Sequence, residues 1–354
     1  MIHNPQSTIH NPQFAIFLSL EQFLRERIRN EGPLSFRDYM EEVLYHPELG
    51  YYTSTKPRIG VEGDFYTSSD LDPVFGKLIG RYFEELSEGF DNFTIVELGA
   101  GKGALARDVL AQRRFHYMIF ERSPAMRAHQ QKVLDGFDVE WIDELPPNLD
   151  GCIFSNEFFD ALPVHRFIGR GGELKEIFVG EDFEEIERAP SVAVDLALAD
   201  DQVADINLDA RNWIRRITAS LRRGFHIAID YGYLRDDFLA QPHGTLMCYW
   251  RHHAHENPYI HIGEQDITAH INFSDLIDEG SASGLQFLQL SSQKDFLIEL
   301  GILDEMQRLA YTGDAASMQR LLRMKNLIIP DRMGERFKVL VQEKLTRSAG
   351  LRQD

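Results

Sequence analysis

Cysteine is scarce in this chain, positive charge is in deficit, and long apolar runs are missing. Cys152 and Cys248 are its 2 cysteines in 354 residues. So few argue for a reducing compartment and exclude a disulfide-stapled scaffold. Cys152 stands in an apolar strand pattern and reads as core. No apolar stretch approaches the ~20 residues of a membrane span, which argues against membrane insertion. Lysine and arginine number 37 against 56 acidic residues, a net charge of −19. That balance disfavours nucleic acid and anionic lipid as partners. An apolar content of 43% and a charged content of 26% fit a soluble globular protein of one elaborated domain or two. A homo-oligomer is compatible with all of this.

The first thirteen residues carry Ile-His-Asn-Pro-Gln twice, at 2–6 and 9–13. With prolines and no periodicity, 1–13 reads as a disordered tail or as the product of an upstream start codon. No basic segment precedes Phe14-Ala-Ile-Phe-Leu-Ser-Leu20, so a secretory signal is not expected. The start also lacks the Arg-rich, acid-poor look of a transit peptide. A cytoplasmic location follows, with the mitochondrial matrix as the alternative in a eukaryotic host.

What organises the chain is Thr94-Ile-Val-Glu-Leu-Gly-Ala-Gly-Lys-Gly-Ala-Leu-Ala-Arg-Asp-Val-Leu110. An apolar run stops at three glycines and an amphipathic stretch follows, which predicts strand, tight turn and helix. Gly99, Gly101 and Gly103 permit positive φ and close approach of a ligand. The turn lies at the carboxyl end of a strand, the ligand crevice of an open α/β sheet. A dinucleotide fingerprint wants a third glycine at position 104, which is Ala. The acidic Glu97, two residues before Gly99, suits the ammonium and sulfonium of S-adenosylmethionine (SAM) better than a pyrophosphate. An ordinary βα turn is the remaining reading.

Upstream, Phe17, Leu20, Leu24 and Ile28 mark one helix face. After Gly32-Pro33, Ser35 caps a second helix that buries Phe36, Tyr39, Met40, Val43 and Leu44. The stretch 60–69 then gathers glycines, Asp64, two aromatics and the hydroxyls of Thr67, Ser68 and Ser69. Asp72 and Pro73 start a third helix.

Downstream, a strand over 117–121 ends on Glu121, placed to accept hydrogen bonds from ribose hydroxyls. A short strand over 139–142 precedes Asp143, which could face an adenine edge or be a surface acid. A strand over 151–155 runs into Asn156-Glu157-Phe-Phe-Asp160. Polar groups at the end of a buried strand are costly unless used. If that turn is helical, Glu157 and Asp160 share a face. Glycines amid apolar runs predict a hairpin over 165–190. A helix is expected over 209–223, strands over 226–230 and 284–290, helices over 295–311 and 315–325, and a closing strand over 337–342. The histidines at 252, 253, 255, 261 and 270 invite a metal reading. Their spacing lacks a helical i, i+4 pair and cysteine partners, so a lid or substrate loop is favoured and no metal is expected.

With these residues placed, the chain from about Gly32 to Gln342 resembles the MidA-like methyltransferase family. The resemblance rests on Gly32-Pro33 with Asp38-Tyr-Met40, Gly50-Tyr-Tyr52, Gly63-Asp-Phe-Tyr-Thr-Ser68, Glu97-Leu-Gly-Ala-Gly-Lys-Gly103, Asn156-Glu-Phe-Phe-Asp-Ala-Leu-Pro163, Asp230-Tyr-Gly232, Gly244-Thr-Leu246, Gln265-Asp-Ile-Thr-Ala-His270 and Phe337-Lys-Val-Leu340. Departures from the family pattern at Ser69-Asp70, Met247 and Ile262-Gly263 lie on the substrate side. The resemblance implies a Rossmann-like class I methyltransferase fold, a mostly parallel seven-stranded α/β sheet. An N-terminal helical extension (14–93, with an active-site loop at 60–70) precedes a SAM-binding catalytic domain (94–345). Insertions fall at about 165–190 and 231–283, and a tail at 346–354.

It further implies SAM as cofactor, held by Glu97, Gly99, Ala100, Gly101, Gly103, Glu121, Asp143 and Asn156, with Thr67 and Ser68. Asn156, Glu157, Asp160 and Asp64 would meet the methyl acceptor. The family includes a complex I assembly factor that methylates a protein arginine, so a respiratory-chain protein substrate is implied. A guanidinium is permanently charged, and paired carboxylates would grip it. A small-molecule O- or N-methyltransferase and a SAM-binding assembly factor with little turnover remain alternatives. A nicotinamide-dependent oxidoreductase fits Glu97 and the turn spacing poorly.

Overall fold

The computed structural model describes residues 19–54 and 68–345. The expectations on 1–13, on Phe17, on the loop 60–67 with Asp64 and Thr67, and on the tail from 346 lie outside the described residues.

Seven strands build the central sheet: β1 (Thr94–Leu98), β2 (His116–Phe120), β3 (Val139–Ile142), β4 (Leu149–Asn156), β5 (Leu221–Tyr233), β6 (Gln286–Ser292) and β7 (Phe337–Lys344). Their spatial order is β6-β7-β5-β4-β1-β2-β3. β7 runs antiparallel to both of its neighbours, and the other pairs of this path are parallel. Ile271–Asn272 adds a short parallel eighth strand beside the end of β5. From β1 the chain goes to β2 on one side, while β4 lies on the other. That reversal opens a crevice at the carboxyl ends of β1 and β4.

Alternation along the strands sorts the core into two layers. Ile95, Cys152, Phe154, Ile227, Ile229, Val339 and Val341 point to one face, under the helices Val74–Leu86, Ala104–Leu110 and the C-terminal helices. Val96, Leu98, Ile153, Ala228 and Leu340 point to the other, under the helix Leu208–Ser220 with Trp213, Ile214 and Ile217. Each layer is apolar because parallel strands covered on both sides have no solvent face.

The N-terminal extension is more than helical. Its helices Leu20–Glu31 and Phe36–Tyr45 are capped by Ser19 and Ser35, whose hydroxyls accept the N–H of Gln22 and Asp38. Between them Leu34–Ser35 pairs with Glu173–Val179 and so joins a second sheet. That sheet enlarges the expected hairpin with Glu185–Arg188 and Val203–Ile206. A third sheet, Leu246–Trp250 with His253–His255 and Asp266–Ala269, stands where a lid loop was expected. Leu24, Tyr39, Met40 and Leu44 pack with Val164, Val179, Cys248 and Ile267, so the extension and both inserted sheets share one core.

Several expected boundaries move. Leu221 opens β5 instead of ending the preceding helix. Gly284, at φ +108°, ends the helix Phe273–Ser283, and the following strand starts at Gln286. Gly301, at φ +88°, divides the expected helix over 295–311 into Gln293–Glu299 and Ile302–Thr312.

The start of the sheet is built on bare backbone. Gly151 sits between Thr94 and Gly224 in register, and a Cβ on Gly151 would stand 1.9 Å from the Thr94 carbonyl oxygen. Gly151→Ala is expected to lower unfolding free energy by about 1–3 kcal/mol or more, because the strands must part. A denaturation midpoint unchanged from the parent contradicts that packing.

Candidate active site

After β1 the chain turns through Gly99, Gly101 and Gly103 at φ +65°, +53° and +77° and enters the helix Ala104–Leu110. A Cβ on Gly99 would stand 3.0 Å from Phe158, whereas one on Gly101 meets no described atom within 4 Å. Gly101 thus presents bare backbone to the crevice, which a close-fitting ligand requires.

Glu121 follows β2. Its Oε1 accepts the Ser123 N–H and its Oε2 accepts Gln130 Nε2, both at 2.9 Å. The same buried Nε2 donates to the Gly101 carbonyl at 2.8 Å, while Gln130 Oε1 accepts the Trp141 indole N–H at 2.8 Å. One amide therefore ties the glycine turn, the carboxylate and β3 together. The bonds fix the plane of the Glu121 carboxylate and leave it acceptor capacity. Burial raises its proton affinity, and the Ser123 and Gln130 bonds oppose the rise.

Glu97 sits deeper. It is 3% exposed and accepts the Tyr117 hydroxyl at 2.8 Å. Burial pushes its carboxyl up to about 7, against the pull of Tyr117. Asp143 is the opposite case, an exposed side chain ion-paired with Arg127, which also donates to the Ile142 carbonyl.

The stretch after β4 is not a helix, so Glu157 and Asp160 do not share a helical face. Glu157 has φ +54°, a left-handed conformation costing a non-glycine residue about 1–3 kcal/mol. Its Oε1 accepts Asn156 Nδ2 at 2.9 Å and the Ser68 N–H at 3.2 Å. Asp230, at the end of β5, accepts the N–H groups of Phe159 and Asp160, and Pro163 cannot continue a helix. Asp160 is 4% exposed, and burial raises its carboxyl while the Tyr231 hydroxyl opposes the rise. Asn156 Oδ1 and Asp160 Oδ1 are buried acceptors with no hydrogen-bond partner among the described residues.

These groups meet around one cavity. Gly99, Gly101, Glu121, Asn156 and Glu157 line it, together with Phe120, Met126, Phe158, Ala161, Leu162 and Trp213. Glu97, Ala100, Gly103, Asp143, Asp160 and Ser68 stand off its wall. The aromatic side is rigid, with Phe120 and Phe158 each 5.0 Å edge-on from Trp213. Tyr45 and Tyr52 close the cavity from the N-terminal extension. Tyr45 donates to the Ala161 carbonyl at 3.0 Å, and Tyr52 to Asp266 Oδ1 at 2.6 Å. Gln130, Tyr45 and Trp213 carried no functional signal in the sequence, and Tyr52 was there only as a motif member. Asp230 and Asp266 were visible there as motif members without a role.

An apolar slot beside an acidic edge, a bare glycine turn and an unpartnered amide oxygen suit a nucleoside joined to an amino acid. The cradle therefore fits SAM: Glu121 would hold the ribose, the Gly99–Gly103 turn would face the methionine part and the aromatic wall would take the base. Fold and cradle together define a class I SAM-dependent methyltransferase.

The comparisons with known proteins carry this further. Residues 78–291 match the family model described as "Putative S-adenosyl-L-methionine-dependent methyltransferase". The chain belongs to that family. A solved structure from Burkholderia thailandensis, described as a "likely methyl transferase" bound to S-adenosyl-homocysteine, superposes with a TM-score of 0.87 at 29% identity, covering 94% of this chain and 93% of that one. A native structure from the same organism gives 0.81 at 30% identity over the same shares. The mitochondrial protein arginine methyltransferase NDUFAF7 of Danio rerio is 27% identical over 90% of this chain and 85% of its own length. That of Homo sapiens is 27% identical over 89% and 81%.

Two outcomes follow from the cradle. Gly101→Val puts a branched side chain where the backbone is bare. It should weaken S-adenosylhomocysteine (SAH) binding by at least about a hundredfold in calorimetry, and unchanged affinity refutes the placement of the turn. Glu97 gives a pH signature. From the ordinary carboxylate range up to about 7 the folded chain keeps a proton that the unfolded chain has released. Its contribution to stability therefore falls as pH rises through that window. Glu97→Gln should match the parent near the bottom of the window. Above it the variant should gain up to about 3 kcal/mol in the absence of cofactor. A difference independent of pH contradicts the burial argument.

Proposed function

We propose that this chain transfers the SAM methyl group to the guanidinium of an arginine in a protein. The observation that carries the reading is the turn after β4. Glu157 is held in a strained conformation on the cavity wall, with Asp160 and Asp230 behind it. Strain of this kind is retained where it serves a site.

Bound SAM supplies a methyl group on a positively charged sulfur, open to in-line displacement. The rest falls to the chain. Glu157 binds the guanidinium by charge-assisted bonds and orients one nitrogen toward the methyl. Asn156 steadies Glu157 through its Nδ2 and offers its buried Oδ1 to a donor. Asp160 stands behind Glu157 and off the cavity wall, so the proton that the nitrogen gives up passes to Glu157. Tyr45 and Tyr52 keep water from the site. In this proposal Asp64 remains a further candidate for the acceptor side, and Thr67 and Ser68 for the cofactor side.

Likeness to mitochondrial protein arginine methyltransferases supports the arginine acceptor and a protein partner, of which a respiratory-chain subunit is the class the sequence resemblance implies. Those relatives are mitochondrial by name, which supports the matrix alternative for a eukaryotic host. Among the described residues no helix is long and apolar enough to cross a membrane.

The test is Glu157→Gln, which keeps the shape and removes the charge. SAH affinity should stay within about twofold of the parent while methyl transfer to protein falls by at least about a hundredfold. Lost SAH affinity with this variant moves Glu157 to the cofactor, and unchanged transfer removes it from the reaction.

A further inference from the structure

The turn from Glu157 to Leu162 has no helix or sheet of its own, yet its backbone is tied at almost every step. The Glu157 N–H donates to the Ile229 carbonyl at 2.9 Å. The N–H groups of Phe159 and Asp160 go to one oxygen, Asp230 Oδ2, at 3.0 and 3.3 Å. The Phe159 carbonyl accepts Asn207 Nδ2 at 2.9 Å, and the Asp160 carbonyl accepts the Ala269 N–H at 3.0 Å. The Ala161 carbonyl accepts the Tyr45 hydroxyl at 3.0 Å. Asp230 is the charged member of this set. It is fully buried, and its second oxygen accepts the Tyr231 N–H at 2.9 Å. Both carboxylate oxygens are therefore engaged by backbone.

We infer that Asp230 is a positioning residue for methyl transfer, holding the strained turn so that Asn156 and Glu157 face the acceptor. The inference rests on the reading of that turn as the acceptor site. Asp230 belongs to β5, whose Ile229 is in register with Asn156 on β4. Its carboxylate thus reaches across from the neighbouring strand to the point where the chain leaves the sheet. A residue in the left-handed region relaxes unless its surroundings over-determine it, and Asp230 supplies that constraint just past Glu157. Its burial beside Asp160 and Glu157 is costly, as the rise of its proton affinity under burial and under their charge shows. An apolar residue there would avoid this cost and could not hold the turn. Asp230 is not among the residues lining the cofactor cavity, so it acts on the site only through the turn, whose Glu157 and Phe158 do line it.

The experiment compares the parent, Asp230→Asn, Glu157→Gln and the double variant. The rate is that of label transfer from methyl-labelled SAM into lysate protein of a host lacking this gene. SAH affinity and stoichiometry are measured by calorimetry on the same preparations. Asp230→Asn keeps the shape but turns an N–H2 toward a backbone N–H. At saturating labelled SAM its rate should fall at least about tenfold, with SAH stoichiometry unchanged and a smaller loss of SAH affinity, and the double variant should be no slower than Glu157→Gln alone. A merely structural role lowers stoichiometry or multiplies the two losses, and either result overturns the inference, as does an unchanged rate. If the parent labels no protein while binding SAH, the arginine reading fails and the inference is judged by structure. In crystals of Asp230→Ala with SAH, Glu157 should leave positive φ, and a turn that keeps its conformation overturns the inference.

Discussion

Taking a carboxylate out of water is expensive, and this fold does it at the carboxyl end of strand after strand, fully at Glu97 and Asp230 and partly at Glu121 and Glu157. Glu97 ends β1 but for one residue, Glu121 follows β2, Glu157 follows β4 and Asp230 lies near the end of β5. Each is satisfied differently. Glu97 takes one phenol, Glu121 takes a backbone N–H and a glutamine, Glu157 takes an asparagine and a backbone N–H, and Asp230 takes backbone N–H groups. A purely structural sheet would place apolar residues there. The row of acids at the switch point is what the surrounding loops, the aromatic wall and the inserted sheets are arranged to support.

The N-terminal extension is part of that support. Its helices bury Phe36, Tyr39, Met40 and Val43 against the inserted sheets, and its strand Leu34–Ser35 is stitched to one of them. That packing delivers Tyr45 and Tyr52 to the cavity, where their hydroxyls reach Ala161 and Asp266. Asp205 ties the inserted sheets to each other, accepting the N–H groups of Thr245 and Leu246 while paired with Arg166. Extension and insertions therefore act as one body above the crevice.

Much of the fold was legible in the sequence because its determinants are local. The strand–glycine–helix unit at 94–110 is written in residue order, and so is the cap at Ser35. Glu121 could be found from its distance to the turn. What was not legible depends on contacts between distant segments. No periodicity announces that Leu34 pairs with Val179, or that Gln130 turns inward from an amphipathic helix to bond Gly101 and Glu121. The spacing of Glu157 and Asp160 suggested a shared helical face, and the left-handed φ of +54° at Glu157 denies it, while Asp230, seventy residues on, takes the N–H groups of Phe159 and Asp160. Glu97 looked like a ligand to the cofactor from its place before Gly99, and the structure gives it first to Tyr117.

The account stands on one placement, with the cofactor between Glu121 and Glu157. A crystal structure of the chain with SAH tests it directly. The ribose hydroxyls should lie within hydrogen-bond distance of Glu121, with the base against Phe158 and Trp213. The sulfur should be turned toward Asn156 and Glu157. SAH bound elsewhere, or with its sulfur directed away from that turn, contradicts the account.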